Sequence, residues 1–194
     1  EYGDYEKNST FFVTIDRVEK RPATVVRVAE ADERGETSFK SVNDVVELST
    51  YPHNQSEIFA HYGIDDPTKC WDILTAAALP GYGGGEAIAQ TYRAMYVASQ
   101  RKGIEHFFSI IDEKPFELMG LVGFPFQKLY DADWMEYIDS AKSLPVYGDA
   151  PTFENAVIRK QEETRRDAPD LYPFLESSFE ILGHGKIDDA LMLR

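Results

Sequence analysis

The chain has 194 residues, 43% of them apolar with 12 Phe and 11 Tyr, enough to bury one good-sized core and to exclude wholesale disorder. A formal net charge of −14 excludes nucleic acid and anionic membranes as expected partners, because both demand a basic surface. The single cysteine, Cys70, rules out an internal disulfide and fits a reducing, cytoplasmic setting, and no apolar run approaches the ~20 residues that span a bilayer.

In chain order, Thr10 to Val18 is β-branched and aromatic, Glu19 to Pro22 reads as a turn and Ala23 to Ala29 as a second strand, together an antiparallel hairpin. Glu30 to Thr37 is a charged loop, Val42 to Leu48 a short helix begun by Ser41 or Asn43, and Thr50 to Lys69 shows no clear periodicity. Trp71 to Leu79 is a buried strand whose three alanines lower its propensity. Pro80 to Gly85 is a turn. Glu86 to Lys102 is a helix, with acid at its start, Arg101 and Lys102 in its last turn, Gly103 after it, and a stripe of Ile88, Tyr92, Met95 and Ser99. Ile104 to Ile111 follows as a strand, Glu113 to Leu121 as a short helix capped by Asp112, and Phe124 to Leu129 as an edge strand. Beyond Tyr130 the pattern predicts an amphipathic helix over Asp131 to Ser143 and a linker over Leu144 to Pro151. Helices are then expected at Phe153 to Arg166, Leu171 to Leu182 and Lys186 to Leu193.

Strand, glycine turn and helix together suit phosphate, because the first N–H groups of a helix are unpaired and glycine lets the main chain approach a ligand. The same glycines also make a flexible turn. A P-loop is excluded, since Glu86 and Ala87 stand where Lys and Ser or Thr belong, and a Rossmann motif fails for want of a glycine at Ile88. Charge agrees with the phosphate reading: residues 87–130 carry 5 basic and 4 acidic groups, whereas residues 1–86 carry 8 and 16 and residues 131–194 carry 7 and 14. No metal is expected, because His53, His61 and His184 lack ligand spacing. Cys70 reads as an inert thiol, His106 as structural, and Ser109 as a core hydroxyl or one that faces a ligand. Phe107, Phe108, Phe116, Met119, Phe124 and Phe126 either pack under the central helix or wall a tunnel for a greasy ligand.

Hairpin, long strand, glycine turn, long helix, strand, short helix and strand, in that order, resemble the GNAT acyltransferase superfamily over roughly residues 5–130. The superfamily's loop, Q/R-x-x-G-x-G/A, is matched at Gly85 and Ala87, with Tyr82 where Gln or Arg is usual. Trp71-Asp72-Ile73 is similar to the Trp-Glu-Ile of acyl-homoserine lactone synthases and long-chain N-acyl amino acid synthases. The Ser-Arg that follows there is replaced by Leu74-Thr75. The resemblance implies an α+β fold, a GNAT-like mixed, mostly antiparallel sheet flanked by helices. Residues 1–130 would form that domain and residues 131–194 a helical C-terminal extension. The superfamily's first strand and two helices have no match and the chain opens at Glu1, so an upstream part is expected to be missing.

The implied activity is N-acyl transfer, by direct attack of a small-molecule amine on the thioester of acetyl-CoA or a longer acyl-CoA. An acyl carrier protein is the poorer donor, being acidic like this chain. The backbone of Ala76, Ala77, Ala78 and Leu79 would pair with pantetheine, and Gly81, Tyr82, Gly83, Gly84, Gly85 and Ala87 would hold the pyrophosphate. Asp72 is the candidate base, or else an exposed residue at a strand start; Tyr130 is the candidate acid for the thiolate, since no Tyr lies between Ile104 and Leu129. The alternatives are a catalytically inactive GNAT-like module that binds a ligand or partner, and an interaction domain with no donor site.

Overall fold

The computed structural model describes residues 7–31, 39–48, 50–82 and 85–184, with the backbone of Met192 and Leu193. The hairpin forms as β1 (Ser9–Asp16) and β2 (Arg21–Ala29), paired antiparallel, and β3 (Cys70–Ala78) adds antiparallel to β2. β4 (His106–Asp112) lies parallel to β3, and β7 (Ser140–Asp149) runs antiparallel to β4. The sheet order is β5-β7-β4-β3-β2-β1-β8, with β5 (Phe126–Lys128) and β8 (Met192–Leu193) at its edges and β6 (Met135–Tyr137) in a hairpin with β7. The architecture is a mixed, mostly antiparallel sheet flanked by helices, closed at the C-terminal end by α5 (Phe153–Asp167) and α6 (Tyr172–His184).

One face of the sheet is covered by α3 (Glu86–Lys102), which buries Tyr92, Met95, Tyr96 and Ser99 along a helical stripe onto Phe12, Val26, Trp71 and Phe107. Gly103, at φ 67°, ends it by donating to Gln100 and Ser99 carbonyls. α5 and α6 dock on this side through Phe153, Val157, Phe179 and Leu182. Residues from α1 (Lys40–Val46) and α2 (Gln55–Tyr62) form a second cluster, where Phe39, Val42, Ile58 and Phe59 meet Phe108 and Tyr147. Thus Phe107 and Phe108, adjacent on β4, serve opposite faces, as strand alternation requires.

Three segments differ from the sequence expectations. The helix expected over Asp131 to Ser143 and the linker over Leu144 to Pro151 are instead β6 and β7, so the sheet continues past residue 130. Pro145 and Gly148 disguised this strand. Pro145 lies outside the Val146–Gly148 stretch that pairs with β5, and a Cβ on Gly148 would sit 2.8 Å from the Phe126 ring. Within the stretch without periodicity, α2 forms through a capping box in which Asn54 and Glu57 satisfy each other's backbone N–H. Most of the helix expected at Lys186 to Leu193 lies outside the described residues, and Met192–Leu193 pair with β1.

Candidate active site

β3 and β4 pair only from Cys70 with His106 to Ile73 with Ser109; beyond that the strands part. The fork is built by two features. Arg27 and Val28 of β2 face Thr75 and Ile73, so Leu74 is the extra residue of a bulge that bends β3 as it leaves β4. Ser109 donates its hydroxyl to the Ile73 carbonyl at 2.8 Å, closing the apex. From Leu74 to Ala78, β3 keeps β2 on one edge and, among the described residues, has no strand on the other. That edge presents main-chain donors and acceptors to which an extended amide-bearing molecule can add as a strand.

Two cavities meet at the fork. A groove of about 440 Å3 runs from Gly85 and Ala76–Ala78 past Ile88 toward α6. The fourth wall is α4 (Glu113–Leu121), through Pro115, Leu118 and Met119. On the other side, a notch cavity of about 420 Å3 is lined by Leu74, Thr75, Ser109, Asp112, Tyr137 and Asp139, among others. Ala76, Tyr92, Pro115 and Met119 line both.

The mouth of α3 opens on the groove. Gly85, at φ 103° and ψ −130°, is its N-cap and supplies no side-chain oxygen to the first-turn N–H groups. Such a backbone is essentially reserved for glycine. The first turn is fixed by the Ala87 carbonyl, which accepts from the hydroxyls of Thr14, Thr24 and Thr91 at 3.2, 3.1 and 3.1 Å. The helix end is therefore lashed to β1 and β2. Tyr82 leaves the turn sideways: its hydroxyl donates to Asp16 Oδ2 at 2.5 Å, and the Arg21 guanidinium sits 5.6 Å over its ring. The Tyr82 hydroxyl, with the Glu19 and Val18 N–H groups, holds the Asp16 carboxyl below the usual range.

Of the residues singled out for the donor, Ala76, Ala77, Ala78 and Gly85 line the groove, while Leu79, Gly81 and Tyr82 lead from β3 into the turn and Ala87 anchors the helix start. Gly83 and Gly84 lie outside the described residues. Asp72 is fully buried and lines neither cavity. Its Oδ2 accepts from the Ser41 N–H at 2.8 Å, its Oδ1 has no partner, and burial pushes the carboxyl up to about 7. The bulge at Leu74 breaks the alternation that would have put Asp72 in line with Leu74, Ala76 and Ala78. Tyr130 is set apart from the fork, stacked between His53 and His61 at 4.1 and 3.9 Å.

His106 bonds through Nδ1 to the Tyr147 hydroxyl, and burial lowers its pKa. Burial pushes the Cys70 thiol up to about 12, which leaves it unreactive. The aromatic set divides: Phe107 and Phe108 are core, Met119 lines both cavities, Phe124 the groove and Phe126 the notch cavity, while Phe116 lines neither and packs edge-on to Trp134. Sequence reasoning passed over Tyr92 and the pair Asp112 and Asp139. Tyr92 was hidden in the apolar stripe of α3, and Asp139 lay in a segment read as helix. No group of three or more His, Cys, Asp or Glu among the described residues is placed to hold a metal. No helix among them is long and apolar enough to cross a membrane.

No family model and no curated protein matches the sequence. Among solved structures, the chain is similar to FeeM, an N-acyl amino acid synthase from uncultured soil microbes, at 9% identity, covering 81% of this chain and 82% of that one with a TM-score of 0.57. It is similar to the CoA-dependent acyl-homoserine lactone synthase BjaI, solved with SAM and isopentyl-CoA, at 13% identity, 84% and 68% coverage and a TM-score of 0.56. The CoA-dependent acyl-homoserine lactone synthase MesI gives 9% identity, 84% and 73% coverage and a TM-score of 0.55. These likenesses are of fold: the chain shares the mixed, mostly antiparallel, helix-flanked sheet of these synthases.

Proposed function

We propose that the chain is an N-acyltransferase that uses an acyl-CoA thioester and a small-molecule amine. The observation that carries this is the fork, with one cavity on each side and four residues shared between them. A donor lying in the groove would rest its pyrophosphate on the mouth of α3, where the helix dipole and free N–H groups favour an anion. Its pantetheine amides would pair with the open edge of Leu74 to Ala78, and its thioester would reach the fork. The acyl chain and acceptor would then occupy the notch cavity. There Asp112, held by the Ser143 hydroxyl at 2.6 Å, and Asp139 offer carboxylates to an ammonium. Proximity of amine and thioester supplies much of the acceleration, and the proton leaves through these carboxylates or water.

Octanoyl-CoA titrated into the chain by calorimetry tests donor binding, and thiol release on adding free amino acids tests transfer. Absence of binding to octanoyl-CoA and to CoA itself would defeat the proposal. A second reading, a binding module without turnover, is favoured by the burial of Asp72 away from both cavities. It predicts donor binding with no thiol release.

A further inference from the structure

We infer that Tyr92 of α3 is the catalytic acid that protonates the departing sulfur. This rests on the acyl-transfer reading above. A donor with pantetheine in the groove and its acyl group in the notch cavity has its C–S bond where the two cavities join. Of the residues common to both, Ala76, Tyr92, Pro115 and Met119, only Tyr92 carries a proton to give.

The side chain is placed for that task. Tyr92 is only 6% exposed, and its ring is held edge-on against Phe124 with centroids 5.0 Å apart. Its hydroxyl makes no hydrogen bond to any described residue. Nor is it sealed in, as the unpartnered Trp71 Nε1 and Asp72 Oδ1 are. It therefore meets the open space of the cavities. Packing gives no reason for that oxygen, since phenylalanine would fill the same core position. Two other hydroxyls of the notch cavity are occupied: Ser109 donates to the Ile73 carbonyl, and Tyr137 to Asp44.

The step balances. The amine nitrogen bonds to the thioester carbon, the C–S bond breaks with its electron pair going to sulfur, and the Tyr92 O–H proton completes the thiol. The acceptor ammonium sheds two protons overall; one restores the phenol and the other leaves to solvent.

Tyr92→Phe tests the assignment. The variant should keep the wild-type melting temperature or exceed it, and should bind CoA with unchanged affinity by calorimetry. Its kcat with octanoyl-CoA should fall by roughly 10²–10⁴-fold, the usual worth of a positioned acid. With the octanoyl thioester of an aromatic thiol, whose thiolate leaves without a proton, the variant should stay within a few-fold of wild type. Equal rates with octanoyl-CoA, or an equal loss on both thioesters, would overturn the role of Tyr92 while leaving the donor site standing. Wild-type chain that binds CoA but releases no thiol would overturn it too. If CoA does not bind the wild type, it is the donor reading that fails.

Discussion

From Cys70 to Ile73, β3 is buried and paired on both edges; from Leu74 to Ala78 it is paired on one edge, and its exposure rises until Ala76–Ala78 are open. The first half carries Trp71 and Asp72, both fully buried, and behaves as the middle of a sheet. The second half ends in three alanines of weak strand propensity, held by β2 alone among the described strands. A single bulge residue, Leu74, separates them. Stability and site formation are thus assigned to different halves of one strand. Substitutions in the first should be felt as folding, and substitutions in the second as binding.

The sharpest way to break this division is Trp71→Ala. Trp71 packs between Phe12 and Phe107, with centroids 5.8 and 6.3 Å away. Removing it should cost about 3–5 kcal/mol, read as a large drop in the urea midpoint. A loss under 1 kcal/mol would show that the paired half is not the anchor.

Asp72→Asn probes the same half through pH. The folded pKa, raised by burial to about 7, stands above the unfolded carboxyl value near 3.8, so the folded chain holds a proton that the unfolded chain has lost. Stability from this group is complete below the unfolded value, declines as pH rises toward 7, and levels off above it. The slope approaches about 1.4 kcal/mol per pH unit in that window. Asparagine keeps an acceptor for the Ser41 N–H and removes the titration. The variant's melting temperature should therefore flatten between pH 4 and 7, and an unchanged slope would clear Asp72 of the effect.

A smaller loss is expected at the apex itself. Ser109→Ala removes the bond to the Ile73 carbonyl, worth about 0.5–1.5 kcal/mol, and leaves that carbonyl without the hydroxyl that closes the fork. Donor affinity measured by calorimetry should fall with it, because the apex positions the open edge of β3. If stability drops and affinity does not, the fork tolerates loosening.

The paired half of β3 was legible in the sequence and the open half was legible only by resemblance. Trp71 and Ile73 announce a buried strand, and the Ile88, Tyr92, Met95 and Ser99 stripe announces the helix on top of it. Periodicity could not tell that Tyr92 is both core and cavity wall, because an amphipathic stripe records burial and says nothing of what opens beside it. It also could not tell which face Asp72 shares with Ala76 and Ala78, since the bulge at Leu74 re-phases every side chain after it. Tyr130 sits near the fork in sequence but ends up stacked with His53 and His61, a contact made across about 70 residues that no local pattern encodes. β7 was unreadable for a related reason. Gly148 is there for the ring of Phe126, so a tertiary contact wrote a residue that reads locally as a linker.

The smallest expected effect on folding is also the one that decides whether the halves are separable. Ala76 is exposed, pairs with Val26 on its closed edge and lines both cavities on the other side. Valine suits a strand better than alanine, so Ala76→Val should leave stability unchanged or raise it by a few tenths of a kcal/mol. The added methyl groups would stand where groove and notch join, and should weaken octanoyl-CoA binding by about tenfold or more, near 1.4 kcal/mol. Calorimetry and a melting curve on one preparation read both quantities. Weaker binding at equal stability would show that alanine is kept here for the space it leaves, against the strand's own preference. Unchanged binding would mean that the passage between the cavities carries no donor.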